Sequence, residues 1–310
     1  MKKKIKNKMV HFLLCTVMCV SVLTSCSNEL VKQDVDNATM PQRRLPQVSR
    51  DYGEMHNNLL DECLALCEEI DPLDYVVETI DDENFYSLYA AYSDVILQTT
   101  HDVTYTVYGV DFNVFGNTSI SSPLEYTTLQ NQLNIEEHEC PGMDSAFHSV
   151  ENLFEYYAST LSNNIDFTDN PNWLELCTYI EDYVENIYVT CEPLCLSEEE
   201  REGLEVMLSV LTGSFNYWSQ SENMEAWGEL AWNANCHYLN LNNMDETEFE
   251  NFHETYTLSS WEKVLAFAIA DCKGAKWGGK IGAIFAGVGA VHGAIAGATI
   301  CSGFVALSWD

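Results

Sequence analysis

Between Arg50 and Lys263 this chain carries 43 Asp and Glu residues and a single basic residue, Arg201. That imbalance limits how such a stretch folds. Ion pairs are not available in number, so packing of apolar side chains must overcome the repulsion among carboxylates left in water. The chain has the means, since 46% of its residues are hydrophobic and 12% aromatic, more than a disordered polyacid carries. At this charge density some carboxylates titrate above their ordinary values, and non-specific divalent cations would stabilise the fold. No calcium loop of the D-x-[DN]-x-[DN]-G type is present, and no motif calls for a cofactor. The acidity disfavours nucleic acid as a partner, because phosphates are neutralised by Lys and Arg. It equally disfavours docking of this stretch on an anionic bilayer. Trypsin meets only Arg201 between Arg50 and Lys263, which suits a protease-rich environment.

Apolar residues inside this stretch recur at helical spacing. Asp51 to Ile70 puts Leu59, Leu60, Cys63, Leu66 and Cys67 on one stripe, and Asp81 to Gln98 does so with Phe85, Leu88, Tyr89, Tyr92, Val95 and Ile96. Asp71-Pro72 reads as an N-cap with Pro at N1, as does Asn170-Pro171 ahead of Trp173 to Val189. Met143 to Leu161 continues the pattern. Capping boxes stand at Ser122-Pro123-Leu124-Glu125, leading toward Glu139, and at Ser197-Glu198-Glu199-Glu200. The latter precedes a stripe of Leu204, Met207, Leu208, Leu211, Phe215 and Trp218. One stretch departs from this period. From His101 to Phe115, Val103, Tyr105 and Val107, then Phe112 and Val114, alternate as in a short hairpin or extended loop. The expected fold is all-α, an acidic helical domain over 51–256 with a minor β-hairpin.

The N-terminus is an address. Five lysines within Met1 to Lys8 precede an apolar run from Met9 to Val22, the basic and apolar regions of an export signal rather than a spanning helix. It ends in Leu23-Thr24-Ser25-Cys26, which resembles the lipobox of bacterial lipoproteins. The resemblance implies a signal peptide over 1–25 and lipid on Cys26, with three acyl (palmitate-type) chains giving stable anchoring. Ser27, in place of Asp, implies an outer-membrane destination in that family, with surface display open. Removing 1–25 leaves 48 acids against nine bases, a net charge of about −39. Residues 26–50, with Pro41, Pro46 and Arg43-Arg44, read as a tether.

Nine cysteines follow Cys26, an odd count that leaves at least one thiol free. Cys191-Glu-Pro-Leu-Cys195 lies in a turn and is the candidate disulfide, whereas Cys63 and Cys67 suit a shared buried face. His138-Glu139-Cys140 and Cys236-His237 are ligand types without paired metal spacing, so no metal site is assigned. Catalytic signatures such as G-x-S-x-G, a phosphate loop or H-E-x-x-H are absent, and no catalytic residue is assigned. Pairs of carboxylates for a hydrolase are inevitable among so many acids and carry no information.

The last segment, 257–310, is the most specific. Ser259-Ser260-Trp261-Glu262 caps a helix through Val264, Leu265, Phe267, Ala268 and Ile269. From Ile281 to Trp309 there is no charged residue, enough length to cross a bilayer. Small residues recur every fourth position at Gly274, Gly278, Gly282, Ala286, Ala290, Ala294 and Ala298, with a second row of Gly289, Gly293 and Gly297. Such rows let helix backbones approach closely. A straight helix from Trp277 to Trp309 would be about 48 Å long, against a hydrocarbon core of about 30 Å. Either it tilts in a membrane, with Lys276 and Lys280 at the headgroups, or Gly287-Val288-Gly289 bends it into a helical hairpin packed on the acidic body.

The run from Lys280 to Gly297 resembles glycine-zipper peptides and two-peptide class II bacteriocins, and Leu258-Ser259 to Gly278-Gly279 is similar to a double-glycine leader. With the lipobox, the Ser214–Trp218 segment and the glycine-rich end, the whole chain resembles uncharacterised lipoproteins of gut Bacteroidetes. Asp144-Ser145-Ala146 is similar to the O-glycosylation tripeptide of that group. These observations leave three expectations open. The first is a non-enzymatic, lipid-anchored envelope protein whose C-terminal helix serves packing, self-association or a second membrane contact over 281–309. The second is a membrane-active, bacteriocin-like antagonism protein. The third is a carboxylate-dependent hydrolase.

Overall fold

Capping residues start the helices where the sequence places them. In the computed structural model, which describes residues 51–75, 87–108, 140–161, 170–236, 260–284 and 290–308, Asn170 accepts a hydrogen bond from the Asn172 amide at 2.9 Å with Pro171 opening the helix. Ser197 Oγ accepts from the Glu200 amide at 3.1 Å, and Ser260 Oγ from the Lys263 amide at 3.3 Å. Each satisfies one of the donors a helix start leaves unpaired.

Among the described residues there are eight α-helices, two short 3-10 turns and no strand. The helices are α1 (Asp51–Glu68), α2 (Ser87–Tyr108), α3 (Pro141–Leu161), α4 (Pro171–Cys191), α5 (Glu198–Trp218), α6 (Ser221–Cys236), α7 (Trp261–Ile284) and α8 (Ala290–Leu307). They belong to one unit spanning Val48–Trp309. The fold is all-α, as the periodicity requires.

Local readings are corrected in two places. His101 to Tyr108 is the last part of α2, not an extended strand, and 109–115 lie outside the described residues. The alternation of Val103, Tyr105 and Val107 mimics a strand, but Tyr92, Ile96, Thr99 and Thr100 are buried at helical spacing and carry the stripe onward. Thr100 Oγ donates to the Ile96 carbonyl at 2.7 Å, meeting its polar need inside the helix. Asp71-Pro72 opens only a single 3-10 turn, Pro72–Tyr75. The capping box at Ser122–Glu125 lies outside the described residues. A helix that the periodicity did not separate, α6, begins after a break at Ser219 and Gln220, whose amides bond back to Phe215 and Tyr217.

The acidic helices surround the apolar C-terminus. No residue of α8 is exposed, and Ala294, Ala298, Thr299, Ser302, Phe304 and Leu307 are each at 0%. It packs against α1, α2, α5, α6 and α7. A helix apolar on every side is either a membrane span or a core helix. In this structure it lies inside the helical body.

Candidate functional site

The C-terminal helices α7 and α8 form an antiparallel hairpin whose seam is glycine against glycine. A Cβ placed on Gly278 would fall within the Gly293 carbonyl, and one on Gly274 within the Gly297 carbonyl. Residue numbers across the seam add to a constant, as antiparallel pairing demands. Four of the six glycines in those rows, Gly274, Gly278, Gly293 and Gly297, therefore meet. Gly282 lies in the last turn of α7 and Gly289 outside the described residues. Backbone contact this close is open only to glycine, and it maximises dispersion between the two helices.

A second close approach joins α1 to α5. Gly53 and Gly213 pack backbone to backbone, Gly53 N donates to Ser209 Oγ at 3.0 Å, Asn57 Nδ2 donates to the Gly213 carbonyl at 3.0 Å, and the Tyr217 hydroxyl donates to Asp61 at 2.9 Å. The sequence offset is the same in all three hydrogen bonds. The helices therefore run parallel, each contributing every fourth residue.

Where these two seams converge lies a buried polar cluster. His56 of α1 and Asp271 of α7 are both at 0% exposure, with Nε2 3.5 Å from Oδ2. Trp218 Nε1, from α5, donates to Ser302 Oγ of α8 at 3.1 Å and leans on Asp271 Oδ2 at 3.4 Å. Its indole stacks on Phe267 with ring centres 4.0 Å apart. Ser214 of α5 completes the set. Among the described residues, His56 Nε2, Ser214 Oγ and Asp271 Oδ1 have no well-formed hydrogen-bond partner. Burial pushes the Asp271 carboxyl up from its ordinary value, with His56 and the surrounding polar side chains acting the other way. Hydroxyl, imidazole and carboxyl thus lie together, all at 0% exposure. Helical spacing marks Trp218 and Phe267 as apolar-stripe residues, but nothing in the sequence marks His56, Asp271 or Ser302 as their polar partners.

Charges at the rim of the hairpin are also spoken for. Lys276 and Lys280 both reach Asp144 of α3, at 3.1 and 2.9 Å, and Lys276 lies 4.6 Å over the Phe147 ring. Partial burial works against the Asp144 charge, yet the two lysines outweigh it and hold the carboxyl below the usual range. Asp144, the first residue of the Asp144-Ser145-Ala146 tripeptide, is therefore an anchor for α7.

Nearby, Glu200 has a role beyond its own capping box. One carboxylate oxygen accepts from the Gly142 and Met143 amides at 2.8 and 3.4 Å, and the other from the Leu196 amide at 2.7 Å. A buried carboxylate on α5 thus caps the start of α3 and complements its dipole.

Among the described residues, Cys63, Cys67, Cys140, Cys177, Cys191, Cys195, Cys272 and Cys301 are free thiols. Cys191 and Cys195, the candidate disulfide, are unbonded, and Cys195 Sγ points to the Cys191 carbonyl at 3.9 Å rather than to its sulfur. That geometry follows from the 3-10 turn Glu192–Leu194, which turns the second side chain back onto the helix end. Burial pushes the Cys195 thiol up to about 12 and raises Cys191 as well, so neither is a ready nucleophile. Cys63 and Cys67 share a buried face as expected. Among the described residues no cluster of three or more His, Cys, Asp or Glu has the arrangement of a metal site. His138, Glu139, His237 and the lipobox Cys26 lie outside the described residues.

Compared with protein-family models, curated proteins and solved structures, the chain finds no match.

Proposed function

We propose that this chain is a non-enzymatic, lipid-anchored envelope protein. Its acidic helical body faces water, and its C-terminal Gly/Ala-rich hairpin is the central packing element of that body. The lipid on Cys26 supplies the membrane contact, at an outer membrane. The observation that carries this reading is the glycine seam of α7 and α8 set at the centre of the fold, with Lys276 and Lys280 engaged by Asp144 instead of lipid headgroups. Supporting it, the carboxylates of the body outnumber its bases so heavily that they keep the surrounding helices in solution.

The experiment is fractionation of cells expressing wild type and Cys26→Ala at neutral pH, followed by alkaline carbonate extraction. Wild type is expected in the membrane fraction and Cys26→Ala in the soluble fraction. A variant that remains carbonate-resistant would overturn this reading.

A second reading, membrane activity, has one observation in its favour. Ala290–Leu307 is an 18-residue helix of mean hydropathy 1.6, long and apolar enough by length and composition to cross a bilayer. Leakage of zwitterionic vesicles on addition of the full mature chain would favour that reading, and intact vesicles would remove it.

A further inference from the structure

Among the described residues, every exposed large apolar side chain except Leu66 belongs to α3, α4 or the turn that follows α4. In that region a row of tyrosines crosses the seam between the two helices. The Tyr156 and Tyr157 rings meet edge to face with centres 5.2 Å apart, and Tyr157 meets Tyr183 the same way at 6.2 Å. Tyr183 donates to Glu175 Oε1 at 3.4 Å, so the hydroxyls of Tyr157 and Tyr183, 2.8 Å apart, are joined by the hydrogen of Tyr157. Tyr179 stands one turn before Tyr183 and one turn after Glu175, on the same side of α4. Tyr157 is buried, whereas Tyr156 is 60% and Tyr179 48% exposed. The outer pair therefore border the seam, one from each helix, with their rings largely in water.

The charge around this row is of one sign. Both helices carry Asp and Glu along their length and neither has a Lys or Arg. Asp144 is engaged by Lys276 and Lys280 at the other end of α3. Glu155, beside Tyr156, and Asp182, one turn beyond Tyr179, are exposed. The face of an aromatic ring is the negative part of its quadrupole, so rings and carboxylates here attract the same kind of group, a cation. A tyrosine also offers a rigid apolar body that loses little entropy on binding.

We propose that the tyrosine row of α3 and α4 is a docking surface for a cationic amphipathic peptide segment. Its Lys or Arg side chains lie over Tyr156 and Tyr179 and pair with Glu155, Glu175 and Asp182, while its apolar side chains cover the exposed rings. Charge complementarity selects this occupant. The excess of carboxylates draws a cationic partner in from a distance and repels an acidic or phosphate-bearing one. A second copy of the chain brings the same sign to the same face. A purely apolar segment would bury carboxylates without partners, which is costly, and a purely hydrophilic polycation would leave the rings wet. This inference goes beyond the anchoring role and does not depend on it.

The test uses the mature chain with Cys26→Ala, unlipidated and otherwise complete, so that a failure of the lipid reading does not touch it. The probes are a synthetic amphipathic helix of Leu and Lys and an oligolysine of the same charge. Binding is measured by calorimetry at about 0.15 M salt, where long-range attraction is screened. The Leu/Lys helix is expected to bind more tightly than oligolysine. Tyr156→Ser with Tyr179→Ser is expected to weaken the Leu/Lys helix about tenfold and to leave oligolysine unchanged. Leu196→Ser, at an exposed apolar residue of the turn before α5, serves as the control and is expected to change neither. No binding of the Leu/Lys helix, equal affinity with and without the two tyrosines, or an equal loss in the Leu196→Ser control would overturn the docking surface. Photo-crosslinking of a Leu/Lys helix that carries a photoreactive leucine answers without any tyrosine variant. Crosslinks are expected within 152–160 and 174–183, and crosslinks confined to other helices, or none, would overturn it.

Discussion

Substituting Gly278 by Ala tests the hairpin seam against an internal control one residue away. At Gly278 the added methyl has nowhere to go. It would enter the Gly293 carbonyl group, with the carbonyl carbon at 2.7 Å and the Gly297 Cα at 3.2 Å. Carbon atoms pack at about 3.5–4.0 Å, so the two backbones must part by roughly an ångström along a seam buried on all sides. Overpacking of this kind costs about 3 kcal/mol when backbone must move, and the better helix propensity of Ala returns about 1 kcal/mol. The net loss is about 2 kcal/mol.

At Gly279 the same methyl meets Met143 Cε at 3.2 Å and Ala294 Cβ at 3.6 Å. Met143 ends in a flexible thioether that yields, so Gly279→Ala keeps most of the propensity gain. The two variants should differ by about 3 kcal/mol, a gap of about 6–12 °C in Tm for a body of this size. Urea and thermal unfolding of the mature Cys26→Ala chain measure both. Equal stability of Gly278→Ala and Gly279→Ala would refute a glycine seam between α7 and α8.

Other outcomes follow from single contacts. Glu200→Gln keeps the shape but removes the charge that caps α3, and should destabilise the fold by about 1–2 kcal/mol in denaturant unfolding. Asp144, held below the usual carboxylate range by its two lysines, contributes stability that is present above about pH 3.9 and lost as pH falls through its folded value. Asp144→Asn should remove that acid-side loss, which a pH series of unfolding curves reads directly. Arg201 sits in the first turns of α5, with Glu192 at 3.0 Å and Glu198 also bound to it. A protease needs an extended segment, so trypsin should leave the folded body uncut at Arg201 for hours and cut it promptly in urea, as gel electrophoresis would show.

Much of this architecture was legible because local signals agreed with the fold. Asn170-Pro171 and Ser197 with Glu200 start helices in the structure as they do on paper, and the four-residue spacing of Gly274, Gly278, Gly293 and Gly297 marks a real backbone contact. The spacing alone left the partner open, because a helix that packs on protein and one that packs in lipid present the same small residues. The packing partners are set by Asp144 and Trp218, which are far from the hairpin in sequence. The same four-residue rule applied to Gly53-Asn57-Asp61 and Ser209-Gly213-Tyr217 would have revealed the α1–α5 seam. Polar residues at those positions present the same pattern as a solvated face. His56 and Asp271 could not be paired from sequence, since the separation that brings them together is set by three other helices. Glu200 looked fully explained by its own helix, which hid its service to α3.

In the structure α8 is the buried centre of the helical body. Amide hydrogen exchange of the mature Cys26→Ala chain, in buffer without lipid or detergent, tests that most directly. Residues 294–307 are predicted to be among the slowest amides in the molecule, opening only with global unfolding. Fast exchange of that helix in buffer, with protection gained only on adding vesicles, would contradict it.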